Sequence, residues 1–192
     1  ALKDSEFAVL KAQVELARAQ GQNSGLKAAL KDANQKLDAK SLDLKAAKSE
    51  VKAAQANVDL KSVGTAAVND PNNPYPHSQE RLSKANARLE SAQYESDTAR
   101  ALVSWKEAEI DRVDTMIEAR EQAAEVASIK RDRDRVEAMQ KEQVAAHSKY
   151  SEAELSKRLE SAQQRFDKAE VKRSAAQIKA DQAKNAYESR RK

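Results

Sequence analysis

Few side chains in this sequence combine the residue types and spacings that chemistry requires. The 192 residues contain two histidines, His77 and His147, and no cysteine. Neither histidine has a second histidine four residues away, the spacing that places two metal ligands on one helical face. The sequence also lacks a glycine-rich phosphate loop and a G-x-S-x-G nucleophile motif. We therefore expect no enzymatic activity, no metal site and no cofactor.

The carboxylates follow the pattern of a solvated helix surface. The sequence has 31 acidic and 35 basic residues, for a formal net charge of +4. Many acidic side chains have a Lys or Arg three or four residues further on, and such pairs usually lie on exposed helix faces. Because the charges are interspersed and form no basic stripe, we expect no nucleic-acid partner. No apolar run is long enough to cross a bilayer, so membrane insertion is not expected.

One segment differs from this pattern. Residues 68–78 read V-N-D-P-N-N-P-Y-P-H-S and contain all three prolines of the chain. Proline removes a backbone donor, and Asn and Asp favour turns, so we predict a turn here that no helix crosses. An aromatic side chain on a constrained turn is a common anchor for a partner, although Tyr75 packing on the helix ends is the alternative. The predicted partner contacts are Asn72, Asn73, Tyr75 and His77.

The sequence before this turn is typical of a long helix. Aromatic residues make up 4% of the chain and charged residues 34%, and such Ala-, Glu- and Lys-rich compositions indicate extended helices or coiled coils. Aliphatic residues return at every seventh position, which predicts a helix over 2–63 and a left-handed supercoil. The a positions of this heptad are Leu2, Val9, Leu16, Asn23, Leu30, Leu37, Leu44, Val51 and Val58, and most d positions are alanine.

Gly21 and Gly25 lie within this heptad pattern without shifting it. Each glycine costs about 1 kcal/mol in a helix interior. An inserted loop rarely preserves the phase of the heptad, so we expect one continuous helix, with a kink or a short loop as the alternative. Asn23 lies between the two glycines at an a position, in the seam that the a and d residues form against the partner helix. We interpret Asn23 as a residue that fixes the register of the helix pairing.

A second helix is predicted over 79–147, with Ser78 as its N-cap. After Ile117 the apolar stripe drifts to another face. Residues 130–135 read K-R-D-R-D-R, and we interpret them either as a solvated, ion-paired helix or as a place where the helix bends. The a positions of this second predicted helix are Leu82, Leu89, Ser96, Val103, Ile110 and Ile117.

A third helix is predicted over 151–190. Ser151 and Glu154 have the S-x-x-E spacing of a capping box. If this helix did not form separately, a single helix from Ser78 to the end would leave its apolar stripe in water. We therefore predict one all-α domain over 1–192, a long antiparallel coiled coil built as a helical hairpin or an elongated three-helix bundle, with its turn at 64–78.

Near the start of the chain, Phe7, Leu10 and Val14 form a second apolar stripe on another face of the first helix. A helix with two apolar faces usually touches two neighbours. The second neighbour is expected to be either the third helix or a domain outside this chain.

Three stretches carry a family resemblance. P-H-S-Q-E-R-L-S-K-A-N-A-R-L-E-S-A-Q at 76–93, F-D-K-A-E-V-K-R-S-A-A at 166–176 and A-Y-E-S-R-R-K at 186–192 resemble the receptor-binding helical hairpin of nuclease-type colicins. In that family a long antiparallel coiled coil holds an outer-membrane receptor at its tip, and the toxin and translocation domains lie elsewhere in the polypeptide. The present sequence departs from the family by carrying an apolar arm before the prolines, so the resemblance assigns no individual contact residue.

These features predict a non-enzymatic coiled coil that binds a partner. The resemblance implies the receptor-binding domain of a secreted bacterial protein such as a bacteriocin, a protein receptor in the outer membrane, and a secreted or periplasmic location. The alternative is an α-hairpin of a periplasmic adaptor or a structural spacer, for which self-association is expected.

Overall fold

The computed structural model describes residues 2–62, 75–141 and 151–191, with the side chains of residues 2–59, 77–140 and 151–191. These residues form three helices: α1 (Leu2–Ser62), α2 (Tyr75–Lys141) and α3 (Glu152–Arg190). No strand occurs within these ranges. The predicted all-α fold is confirmed.

The buried side of α1 coincides with its heptad. Every a and d position from Leu2 to Val58 is buried or half-buried. The helix continues through Gly21 and Gly25, so the predicted continuity is confirmed. A Cβ atom added at either glycine would meet nothing within 4 Å, which places both positions on open surface. Burial of the seam, at about 1.5–3 kcal/mol for each large aliphatic side chain, outweighs the cost of the two glycines.

The start of α2 differs from the prediction. The helix begins at Tyr75, whereas the sequence predicted a start at 79. Ser78, predicted as the N-cap, lies inside the helix and is buried, so that prediction is wrong. The physical reason is that Pro76 falls in the first turn, where a helix needs no N–H donor from it. The predicted helix ends at 63 and 147 lie outside the described residues.

The capping box before α3 is confirmed. The backbone N–H of Ser151 donates to Glu154 Oε2 over 2.9 Å, and the N–H of Glu154 donates to Ser151 Oγ over 3.3 Å. Each residue therefore satisfies a backbone donor of the other at the end of the helix. The N–H of Leu155 donates to the Ser151 carbonyl over 3.1 Å, which closes the first turn.

The chain divides into two compact units. Unit 1 comprises Ala1–Ala29 and Trp105–Asn185, and unit 2 comprises Leu30–Ser104 and Ala186–Lys192. Unit 1 therefore contains parts of all three helices. Unit 2 contains the remaining parts of α1 and α2 and the end of α3.

In unit 1, α2 packs antiparallel to both other helices. Glu15 forms an ion pair with Arg120 at 2.7 Å, and Asn23 donates to Asp114 further along α1. Between α2 and α3, the polar contacts join Arg112 to Gln177, Glu118 to Lys172 and Glu125 to Arg165. Because residue numbers rise along one helix as they fall along the other, both pairs are antiparallel. The alternative of a single uninterrupted helix from Ser78 to the end is therefore wrong.

The core of unit 1 forms where the stripe of α2 drifts. Val126 and Ile129 pack against Leu155 and Ala162 of α3. After Ile117 the drifted stripe therefore packs against α3, while α2 still contacts α1 through Arg120 and Glu15. Three half-buried side chains complete this cluster: Val136, Leu159 and Phe166.

In unit 2, α1 and α2 form an antiparallel pair with a small-residue seam. Leu44, Ala47 and Ala92 are buried together, and Leu89 packs beside them. Ion pairs on the surface join Lys40 to Glu95 at 2.7 Å and Glu50 to Arg88 at 2.6 Å. Alanine buries little area, so the pair depends on its length and on close approach of the two helices.

Candidate partner-binding surfaces

The structure describes only part of the predicted contact set at the turn. Asn72 and Asn73 lie outside the described residues, and Tyr75 is placed as the first residue of α2 without its side chain. His77 is described completely, and its side chain is 79% exposed. The contact role of all four residues stays a prediction.

The surroundings of His77 are charged and solvated. His77 Nδ1 lies 3.9 Å from Glu80 Oε2, and Lys84 Nζ lies 2.5 Å from Glu80 Oε1. The hydrogen bond from Lys84 and the charge of its ammonium group lower the pKa of Glu80, with a smaller contribution from His77. Glu80 is thus favoured as a carboxylate beside His77, at a distance longer than a hydrogen bond.

Two depressions in unit 2 lie beside the first turns of α2. One of about 240 Å³ is lined by Ala54, Asn57, Ser78 and Arg81. The other, of about 510 Å³, runs beside Val58, Gln79, Leu82 and neighbouring polar residues. These residues show that α1 and α2 lie side by side as far as Val58 on α1 and Ser78 on α2.

No group of three or more His, Asp or Glu side chains is placed to hold a metal ion within the described ranges. The carboxylates that join helices, such as Glu50, Glu118 and Glu125, are paired with Lys or Arg on exposed surface. This arrangement agrees with the prediction of solvated, ion-paired helix faces.

Two seam positions carry buried polar side chains. Asn23 uses its amide N–H to reach Asp114, while its Oδ1 has no hydrogen-bond partner among the described residues. Ser96, an a position of α2, is fully buried, and its hydroxyl likewise has no partner in the described part of the chain. A buried polar atom without a partner costs about 1–3 kcal/mol. The packing of the seam is therefore expected to be less stable at these two positions.

The second apolar stripe of α1 is open. The residues Phe7, Leu10 and Val14 are 68%, 61% and 52% exposed. The prediction offered α3 or a domain outside this chain as the neighbour of this stripe. α3 does not cover it, because α3 packs against α2 and leaves all three side chains accessible.

A groove adjoins this stripe, and the sequence reasoning missed it. The groove has a volume of about 420 Å³ and lies between α1 and the C-terminal part of α2. Arg131 and Arg135 line it from α2, one turn apart, within the charged segment 130–135. The four-residue spacing of these arginines was visible in the sequence, but the helix that they face was not. The groove is lined by Leu2, Glu6, Val9, Leu10, Gln13, Arg131 and Arg135.

Comparison with known proteins finds no matching family model, no similar curated protein and no similar solved structure. None of the described helices contains an apolar stretch sufficient to cross a membrane.

Proposed function

We propose that this chain is a non-enzymatic coiled coil that binds a protein receptor through the end of its α1–α2 hairpin. The observation that carries the proposal is the antiparallel pairing of α1 and α2 in unit 2, which extends to Ala54 and Asn57 beside Ser78 and Arg81, near the Tyr75 start of α2. The exposed His77 lies at this end. The paired helices supply rigidity, and the proline- and asparagine-containing segment between them supplies the contact surface.

The likeness of residues 76–93 and 166–176 to the receptor-binding hairpin of nuclease-type colicins makes the proposal more specific. It suggests the receptor-binding domain of a secreted bacterial protein such as a bacteriocin, with an outer-membrane protein as the receptor. The expected contacts are Asn72, Asn73, Tyr75 and His77. Among them Tyr75 is expected to contribute most, because aromatic anchors dominate many interfaces.

The test is saturable binding of the full chain to bacterial outer-membrane fractions. We expect Tyr75→Ala to weaken binding roughly tenfold or more, the range of an interface hot spot. The matched control is Tyr94→Ala, since Tyr94 is an exposed tyrosine elsewhere in unit 2 whose hydroxyl donates to the Arg190 carbonyl. Absence of saturable binding, or equal loss in both variants, would count against receptor recognition at the hairpin end.

The second candidate, an adaptor hairpin or structural spacer, is favoured by the alanine-rich seams of both hairpin helices. Ala33, Ala47, Ala85, Ala92 and Ala99 are all buried, and such seams suit long helices that serve mainly as spacers. This candidate predicts end-to-end assembly or self-association. A molar mass that increases with concentration in light scattering, together with no binding to outer-membrane fractions, would favour it.

A further inference from the structure

The exposed stripe of α1 is a helix face that lacks a neighbour in the described chain. Phe7, Leu10 and Val14 follow the i, i+3, i+7 spacing that places side chains on one face. All three are more than half exposed. The a and d positions of the same helix lie on another side, and among them the buried Val9 borders the groove towards α2. Contiguous apolar surface that remains in water usually marks an interaction site.

The groove extends this face towards α2. Leu10 belongs to the stripe and also lines the groove, so the two form one continuous surface. Leu2 and Val9 provide further apolar lining, and Arg131 and Arg135 form the opposite wall. We name this surface, comprising the stripe and the groove, the α1 face. A groove beside two packed helices receives a third helix more readily than it receives a flat surface.

Cations outnumber carboxylates around the α1 face, although Asp4 lies on the same helical edge as Lys11 and Arg18. Lys11 and Arg18 lie next to the stripe on the side away from the groove, as their positions on the helical wheel require. Neither of them, nor Arg135, forms an ion pair with any other residue that the structure describes. Arg131 is paired with the adjacent Asp132 at 2.8 Å. Glu6 is the one carboxylate that lines the groove.

From this arrangement we propose that the α1 face binds an acidic amphipathic helix of a partner protein. The partner places apolar residues at i, i+3 and i+7 on Phe7, Leu10 and Val14. Its flanking carboxylates meet Arg135 on one side and Lys11 and Arg18 on the other. This contact is separate from the receptor contact proposed above, since it involves only residues of unit 1.

Two other occupants fit the surface less well. A second copy of the chain would bring its own Lys11 and Arg18 against the same cations, and like charges at an interface oppose association. An anionic membrane would satisfy the cations, but a bilayer surface does not enter a groove between two helices. Both occupants are distinguished by the experiment.

The experiment is a selection on the full chain with displayed helical peptides about five turns long. The peptides carry leucine at i, i+3 and i+7, and each flanking position is free to be Glu, Gln or Lys. We expect Glu to be enriched on both flanks. A selected peptide, once synthesised, is expected to bind the Phe7→Ser/Leu10→Ser variant roughly tenfold or more weakly than the original chain. Arg18→Gln and Arg135→Gln are expected to weaken binding less, and to reduce its dependence on salt.

Matched controls come from α3. Val171 and Ile178 are as exposed as the stripe residues, so Val171→Ser/Ile178→Ser removes comparable apolar surface from unit 1. Lys179 is an exposed cation of the same unit, so Lys179→Gln matches the charge variants. These variants are expected to bind the peptide normally, and circular dichroism is expected to show unchanged helix content in all variants.

The proposal is overturned if the selection yields no binders, if the selected flanks are neutral or basic, or if the stripe and control variants lose binding equally. It is also overturned if the chain dimerises through Phe7 and Leu10 in sedimentation experiments. Stripe-dependent sedimentation with phosphatidylglycerol vesicles, without acidic enrichment in the selection, would assign the face to a membrane surface.

Discussion

Asn23 is the single side chain that breaks the aliphatic a positions of α1, and it is buried with one oxygen that finds no partner in the described chain. Its amide donates to Asp114, which fixes how α1 lies against α2 in unit 1. A polar residue at one a position typically specifies register at the expense of stability. We infer that Asn23 has this role.

Replacement of this residue tests the inference. Asn23→Leu is expected to raise the free energy of unfolding by about 1–2 kcal/mol, because it removes a buried unsatisfied oxygen and adds apolar burial. Urea unfolding followed by circular dichroism measures the change. Asn34→Leu on the exposed side of α1 controls for helix propensity, which contributes only a few tenths of a kcal/mol. A less stable Asn23→Leu protein would show that the amide contributes more than its burial costs.

The Ser151–Glu154 capping box makes a pH-dependent contribution. Hydrogen bonds from the backbone N–H and then from the hydroxyl of Ser151 lower the pKa of Glu154 from its ordinary value of 4.5. A carboxylate whose pKa is lower in the folded state stabilises the fold above its unfolded-state pKa. That contribution is lost as the pH falls below 4.5 and through the folded-state pKa.

We therefore expect Ser151→Ala to destabilise the protein by about 1 kcal/mol at neutral pH, the usual effect of losing an N-cap. The difference between the variant and the original chain is expected to shrink as the pH falls below 4.5 and through the lowered pKa of Glu154 in the folded protein. Urea unfolding at both pH values measures it. A difference that is independent of pH would show that the Ser151 hydroxyl does not stabilise the Glu154 carboxylate.

The heptads predicted α1 and α2, and they also predicted which side of each helix packs against a neighbour. Every predicted seam position with a described side chain, from Leu2 to Val58 and from Leu82 to Ile117, is buried or half-buried. The reason is that a period of seven fixes which side of a helix meets its partner. The start of α2 at Tyr75 could not be predicted in the same way, because proline is tolerated in a first turn and forbidden only further in.

Leu155 is the large side chain that α3 buries most completely, in a cluster shared with α2. Leu155 is 1% exposed and lies against Val126 and Ile129. Leu155→Ala is expected to lower the free energy of unfolding by about 2–5 kcal/mol, since it leaves a cavity in the apolar cluster that α2 and α3 share in unit 1. Val171→Ala on the exposed side of α3 is expected to change it by less than about 0.5 kcal/mol. Thermal and urea unfolding check both values, and equal effects would show that α3 is not anchored at Leu155.

At the scale of the whole molecule, the sequence predicted the features that depend on local or periodic contacts. The composition and the heptads predicted an all-α coiled coil, and the S-x-x-E spacing predicted the beginning of α3. The groove at Arg131 and Arg135 could not be predicted from the sequence, because it depends on which part of α1 lies opposite the charged part of α2. Pairing across such distances in sequence is set by tertiary packing. For the same reason the openness of Phe7, Leu10 and Val14 became visible only in the structure.

We conclude that the chain after Ser78 forms two helices and that α3 folds back along α2. Because α3 packs against α2, the apolar stripe of α1 stays uncovered. The chain has no cysteine, so spin labels can be placed uniquely at Glu118→Cys and Lys172→Cys, which replace an exposed ion pair between the two helices. Pulsed electron resonance is expected to give a distance within about 20 Å, since packed helix axes lie about 8–10 Å apart. One uninterrupted helix would separate the labels by about 80 Å, at 1.5 Å for each residue, and that result would contradict the claim.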